Sequence, residues 1–478
     1  MELYRALVPG GILSPGELLA LIAFAREAGV DGLHFGSRQD VLFPATEGVR
    51  AAAARTRADG LTVERLADTQ YSNIVCSYVA SEIFSRTPWL TSATYLYILE
   101  QFSRPPRLEV NITDPRQRLT PLFTGHLNFI ASPEEDFWFV DVALPGWAAP
   151  ASFPALVHSW EIARFVEAAE AIAPPPDDMA AFVAGVNAHS ELNLRGVRQN
   201  LEVPFYPFPY YEGMNRVDAA TYWLGLYWRN NWYDLDFLAA ACELCLAQRV
   251  GKLCITPWKS FIVTGIPDGR RLEWERLMGR FGINARHSSL ELNWHLPVGD
   301  GGALSLKHYL VREFDKRDIS TYGLTFGVTS AYSRPFTSVL IERSGDAADA
   351  VDGFAVRPTY NLLYARDFDP NTREYLEYAR RVDRSELTEL ILELSRQYFE
   401  HLDEQGARVV GARTGTTAPV PARAVLTCQR CGSVYDPVVG DEAAGVAAGT
   451  PAEALPADYQ CWTCGAGVAS FAEAEMAV

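Results

Sequence analysis

Apolar residues recur three and four positions apart along several stretches of this 478-residue chain. The segments "LLALIAFAREAG" (18–29), "ALVHSWEIARFVEAAEAIA" (155–173), "FLAAACELCLAQ" (237–248) and "RSELTELILELSRQYFEHL" (384–402) all show this spacing. It predicts helices that bury one face. In the last segment Ser385 is placed to cap the N-terminus, with Glu386 and Glu389 in the first turn. "NTREYLEYARRV" (371–382) reads as a further helix, entered through a turn at "DFDPN" (367–371). The runs "PPRLEVNI" (105–112), "EDFWFVDVAL" (135–144), "YGLTFGVT" (322–329) and "FTSVLIER" (336–343) are short, β-branched and aromatic, and predict strands. "VPFYPFPYYEG" (203–213), rich in Pro and aromatic residues, reads as a connector between two halves. Helices and strands alternate in each half.

The halves resemble each other. At an offset of 220, residues 26–44 overlie 246–265: Leu33 falls on Leu253, Phe35 on Ile255 and Val41 on Phe261. In both places an apolar helix feeds an alternating strand. At the same offset Asn73 of "YSNIVCS" falls on Asn293 of "ELNWHL". Two separated matches at one offset predict an internal duplication.

Composition narrows the function classes. Hydrophobic residues make up 48% and charged residues 21%, enough for a large core. The formal charge of −17 argues against nucleic acid as a partner, since phosphate contacts need clustered Lys and Arg. Only four lysines occur, at 252, 259, 307 and 316, so an anion site would be built from arginine. No apolar run reaches the ~18–20 residues that span a bilayer, and the N-terminus has no signal-like apolar region. The expectation is a cytoplasmic protein, where thiols stay reduced and C-x-x-C pairs serve metals or redox chemistry.

Chemistry concentrates at the C-terminus. "EQGARVVGARTGTTAPVPARA" (404–424) is aperiodic and reads as a linker. A unit of about fifty residues follows, with seven acidic side chains, one Arg and no Lys. It holds two C-x-x-C pairs, Cys428/Cys431 and Cys461/Cys464, separated by 29 residues and each followed by glycine, Gly432 and Gly465. Four thiolates in two such knuckles suit tetrahedral iron or zinc. The glycines allow the positive φ that the turn needs.

The residues between the pairs, "YDPVVGD" (435–441), Gly445, "GT" (449–450), "LPADY" (455–459) and Phe471, resemble rubredoxin over nearly the whole of that fold. The resemblance implies one Fe(Cys)4 centre that passes single electrons. This chain departs from the family at Ser433 and Ala452, which thin the aromatic core, and at Tyr459 and Trp462, where the family has Trp and Pro. A zinc-filled knuckle remains the alternative.

The preceding four hundred residues resemble the nitrite and sulfite reductase family at "HFGSRQDVLF" (34–43), "YSNIVCS" (71–77) and "ITPWKSFIVTGIP" (255–267). That resemblance implies an α+β fold, a duplicated body with ferredoxin-like half-domains, and a siroheme bridged by cysteine to a 4Fe–4S cluster. It also implies basic residues that grip tetrapyrrole carboxylates and a small anion. By motif Arg38 holds one such position and Arg107 another, with Glu109 where a second basic residue is expected. The cluster motif, C-x5-C and later C-x3-C, is missing, and residues 290–427 contain no cysteine. This counts against siroheme and more strongly against a 4Fe–4S cluster. Cys76, Cys242, Cys245 and Cys254 have no known cluster spacing and read as core. The eight histidines form no HxH or HExxH pattern, and no Walker or GxGxxG loop occurs. "VGDGGALS" (298–305) is glycine-rich but follows a poor strand and leads to no clear helix.

The expected organisation is a first reductase-like repeat (1–200), a second (201–403), a linker (404–424) and a rubredoxin domain (425–478). The expected function is iron-based electron transfer to or from a redox protein, with a body that takes a small anion or tetrapyrrole. An oxidoreductase with unorthodox tetrapyrrole ligation and a non-catalytic redox-linked module are the alternatives.

Overall fold

Ser14 begins the first helix, Pro15–Glu27, by accepting from Glu17 N at 3.2 Å, while the Glu17 carboxylate accepts from Ser14 N at 2.7 Å. This reciprocal cap, with Pro at the first helical position, fixes where the helix starts. Leu18, Leu21, Ile22 and Ala25 then turn one buried face inward. Its counterpart, Leu235–Gln248, is capped by Asp234 and packs beside it in the same core. The computed structural model describes residues 2–56, 62–84, 86–218, 220–329, 335–344, 358–412, 422–430, 433–441, 444–461 and 465–477. It divides into two units, 1–398 and 399–478.

In the larger unit the duplication is visible strand by strand. One five-stranded sheet runs Tyr233–Asp234, Gly32–Phe35, Val41–Pro44, Leu3–Ala6, Val63–Arg65. Another runs Ile12–Leu13, Leu253–Ile255, Ser260–Pro267, Thr221–Tyr227, Gly213–Arg216. Each is built on an equivalent hairpin, and the turns match bond for bond. Gly36 N donates to Asp40 O (2.9 Å) and Gln39 N to Gly36 O (3.0 Å); Thr256 N donates to Ser260 O (2.9 Å) and Lys259 N to Thr256 O (3.0 Å). Gln39 and Lys259 both sit in the left-handed region, at φ 60° and 59°. The halves also exchange their edge strands. Tyr233 pairs with Leu33 and Asp234 with Gly32, whereas Ile12 pairs with Cys254 and Leu13 with Leu253. One core therefore draws on both halves, from Ala6, Leu33 and Phe43 to Leu238, Phe261 and Trp274.

The other two sheets repeat a second pattern, two parallel pairings followed by two antiparallel ones. The first runs Val75–Cys76, Val110–Thr113, Leu127–Ala131, Phe137–Val142, Ala155–His158 and adds Leu194–Gly196. The second runs Trp294–His295, Phe326–Thr329, Val339–Ser344, Thr359–Ala365, Tyr375–Val382. Asn73 and Asn293 stand at matching places just before the opening strands but tie down different segments. Asn73 Nδ2 donates to Val8 O and Arg38 O, both at 2.7 Å, and Asn293 Nδ2 to Leu324 O at 2.8 Å.

Several expectations are corrected. Residues 155–158 form a strand and not a helix, because a neighbouring strand on each side supplies ladder partners; the helix begins at Ile162. Tyr375–Val382 is likewise a strand, paired with Thr359–Ala365, and the tertiary ladder overrides its helical spacing. Asp383, not Ser385, caps the long helix: its carboxylate accepts from Ser385 N (2.9 Å), and the Glu386 carboxylate accepts from Asp383 N (2.7 Å). That helix extends over Arg384–Ala412, across the first nine residues of the expected linker; residues 413–421 lie outside the described ones. "VGDGGALS" does lead into a helix, Gly301–Asp315, with Asp300 as its cap.

In the smaller unit a three-stranded sheet, ordered Val434–Tyr435, Ala422–Cys428, Phe471–Ala477, supports two loops. Leu426, Tyr435, Val446 and Tyr459 form its core. Among the described residues of the whole chain, no helix is long and apolar enough to cross a membrane.

Candidate functional site

Cys428 ends a strand, and Cys461 follows the isolated bridge residue Gln460. Each opens a turn closed in the same way: Cys428 N donates to Ser433 O and Cys461 N to Ala466 O, both at 2.8 Å. Gly465 holds φ 69°, the left-handed conformation expected of the residue after a knuckle's second cysteine, and its N–H donates to Cys461 O (2.8 Å). The two cysteines are 1% and 2% exposed and share one buried cluster with Ala466, against Phe471. Cys431, Gly432, Trp462 and Cys464 lie outside the described residues. The donor chemistry fits iron, since two buried thiols from matching knuckles converge and the sequence supplies a third and fourth at C-x-x-C spacing.

Around this cluster Tyr435 meets Tyr459 edge-on and Tyr459 meets Phe471 at a tilt, with ring centroids 5.7 and 5.9 Å apart. Tyr459, where Trp was expected from the resemblance, needs a partner for its hydroxyl. Asp441 Oδ2 accepts it at 3.0 Å. Burial, reinforced by that carboxylate, pushes the Tyr459 phenol up, so it stays a neutral donor.

In the larger unit Arg38 sits in the turn of the first hairpin. Its guanidinium donates to Asn73 O (2.9 Å), Val110 O (3.0 Å) and Asn111 Oδ1 (3.3 Å), and Glu109 lies 3.9 Å away. Glu109 thus stands as a counter-charge to the arginine. Arg107 is half exposed and lies against Glu170, whose carboxylate also takes Arg104 at 3.0 Å.

Neither arginine lines an aromatic-walled cavity of this unit, which has a volume of about 290 Å³. Trp147, Phe208, Trp258 and Phe336 form its walls, and Arg118 and Arg373 bring charge to it. Arg118 Nη1 pairs with Asp369 at 3.1 Å, while its buried Nε has no partner among the described residues. Burial lowers the Arg118 pKa and Asp369 opposes that. Arg373 Nη1 reaches both oxygens of Asp141 at 2.9 Å and lies over the Phe123 ring. Sequence reading missed both arginines, since they lie far apart in the chain and follow no motif. Trp258 is the offset-220 counterpart of Arg38, and that overlay was the one available signal.

The described residues do not fit a cysteine-bridged siroheme and cluster. Cys242 and Cys245 belong to one core and Cys76 and Cys254 to another. Burial raises all four thiols, Cys76, Cys242 and Cys245 to about 12 and Cys254 well above its ordinary value. Thiolate ligation by them is disfavoured.

The small unit therefore has the architecture of an iron–thiolate electron carrier, and the comparisons agree. The rubredoxin family model matches residues 425–471. "Rubredoxin in uptake hydrogenase operon" of Azotobacter chroococcum is 46% identical over 57 residues, 12% of this chain and 79% of that protein. "Rubredoxin-2" of Desulfovibrio desulfuricans is 54% identical over 46 residues, 9% of this chain and 74% of that protein. Two further rubredoxin relatives are spanned over only 19% and 22% of their length. Through its C-terminal domain, the chain belongs to the rubredoxin family. Over 83% of its length the chain shares its fold with the Mycobacterium tuberculosis NirA protein: TM-score 0.63, 15% identity, 81% of that chain covered.

Proposed function

We propose that the chain is an electron-transfer protein in which Cys428, Cys431, Cys461 and Cys464 hold one iron ion and a redox protein is its donor or acceptor. The observation that supports this most is the pair of matched knuckles, each closed by a cysteine N–H and converging on one buried cluster. Bound iron supplies a one-electron couple at this site. The chain's own part is to hold the thiolates in a fixed, water-poor setting, so that little rearranges when charge changes. A cytoplasmic location, where thiols stay reduced, agrees with this reading.

On this reading the larger unit is a reductase-type scaffold without the reductase centre. A second reading rests on Arg118: its buried, unpartnered Nε beside the cavity favours a small anion there, with Arg38 and Arg107 as outlying basic residues. The deciding experiment is a visible spectrum with metal analysis on the full-length protein. One iron per chain and thiolate-to-iron bands that bleach with dithionite are expected. Zinc in place of iron after aerobic and anaerobic purification alike would refute the carrier. Additional tetrapyrrole bands, or turnover of nitrite or sulfite, would move reductase activity to the front.

A further inference from the structure

The two equivalent hairpin turns differ at one side chain that the fold uses heavily. In the first turn Gln39, 1% exposed, donates from Nε2 to Ile255 O (2.9 Å) and Cys76 O (3.1 Å) and accepts from Cys76 N (2.7 Å). All its hydrogen-bonding groups are engaged. Lys259 occupies the same place in the second turn, and its Nζ donates to Leu296 O, the offset-220 counterpart of Cys76. An ammonium carries three N–H groups where the turn asks for one. Lys259 is 7% exposed and, with Leu296, lines a cavity of about 230 Å³ walled by Trp228, Trp258, Trp294 and Leu304. A second buried lysine, Lys307, is held by the Tyr227 hydroxyl at 2.5 Å and by Glu291 at 3.0 Å.

We propose that Lys259 is a reactive amine and that this cavity takes a small aldehyde or ketone with an apolar body, bound as an imine. Nζ adds to the carbonyl carbon, forming the C–N bond and opening the C=O π bond. The carbinolamine then loses one water to give the imine, with no change of oxidation state. A desolvated lysine next to another cation is the arrangement that activates an amine as a nucleophile. Burial and Lys307 bring Lys259 down to about 7, with Asp40 acting the other way. At neutral pH the free-base fraction is then roughly a thousandfold above that of an ordinary lysine. A neutral ligand fits better than an anion, because the cavity's other charged lining residues, Arg229 and Asp300, are of opposite sign and Arg229 is already paired with Glu291 at 3.1 Å.

The chain's four lysines make the test site-resolved. Full-length protein is treated with benzaldehyde and cyanoborohydride at pH 7, and each lysine's modification is followed by peptide mass spectrometry. Lys259 is expected to label at least about tenfold faster than exposed Lys316, once the lower nucleophilicity of a less basic amine is allowed for. Labelling at or below the Lys316 rate overturns the proposal. Lys259→Gln installs the residue that the first turn already uses. It should remove the fast site, leave Lys316 unchanged and keep the circular dichroism spectrum. Glyoxylate, an anionic carbonyl, should lose the preference for Lys259; a stronger preference than benzaldehyde shows would assign the cavity to anions and overturn the ligand class.

Discussion

Replacing Gln39 by leucine would leave the Cys76 N–H and two carbonyls without partners in a closed interior. Each such group costs about 1–3 kcal/mol, partly relieved by relaxation, so a net loss on the order of 3 kcal/mol is expected. Urea unfolding followed by tryptophan fluorescence would read it as a lower midpoint. At the metal centre, Cys461→Ser should remove or strongly shift the iron–thiolate absorption; an unchanged spectrum would show that Cys461 is not a ligand. Acid should weaken the larger unit through His34 and His295. Burial depresses both, and Lys259 adds to the effect at His295. Below about 6.5 the unfolded chain takes up protons that the folded one refuses, so stability is complete above that pH and lost as pH falls through it. The urea midpoint should fall between pH 7 and pH 5, and less steeply in His295→Gln. The cysteine knuckles were legible in the sequence because the chemistry lies within four residues. Arg118 and Arg373 were not, because only the folded chain brings them to one cavity.

Among elements, the equivalent hairpins could be read from sequence because a buried strand leading into a tight turn restricts residue choice at many positions. The exchanged strands could not, since two residues carry no period. Gly32 records that exchange. A Cβ there would stand 2.4 Å from the Trp232 ring, which leads into the incoming strand. Gly32→Ala should cost about 1–3 kcal/mol by overpacking and should speed hydrogen exchange at Leu33, whose ladder partner is Tyr233. Equal exchange in variant and parent would mean that the strand tolerates the methyl group. The misassigned segments at 155–158 and 375–382 share a cause. Their side-chain spacing suits a helix, but neighbouring strands claim their backbone groups.

For the whole molecule, the expected cut at 200/201 runs through two sheets that each need a strand from the other side. Residues 1–200 expressed alone should expose the unpaired edge of Gly32–Phe35 and elute as aggregate in size-exclusion chromatography. Co-expression with 201–478 should recover a soluble complex. Monomeric, folded 1–200 would show that the exchange is dispensable.

The exchanged strand also sets a timetable. A ribosome delivers the chain from its N-terminus at ~5–20 residues per second. The first sheet has its central strands early but must wait for Tyr233–Asp234 before its edge is closed. That wait is roughly 10–30 s at those rates. Throughout it the nascent chain carries an open sheet edge and an incomplete core. The cell's trigger for finishing the first half is therefore synthesis of the second, and slow translation before residue 234 would lengthen the chain's exposure to aggregation and to chaperones.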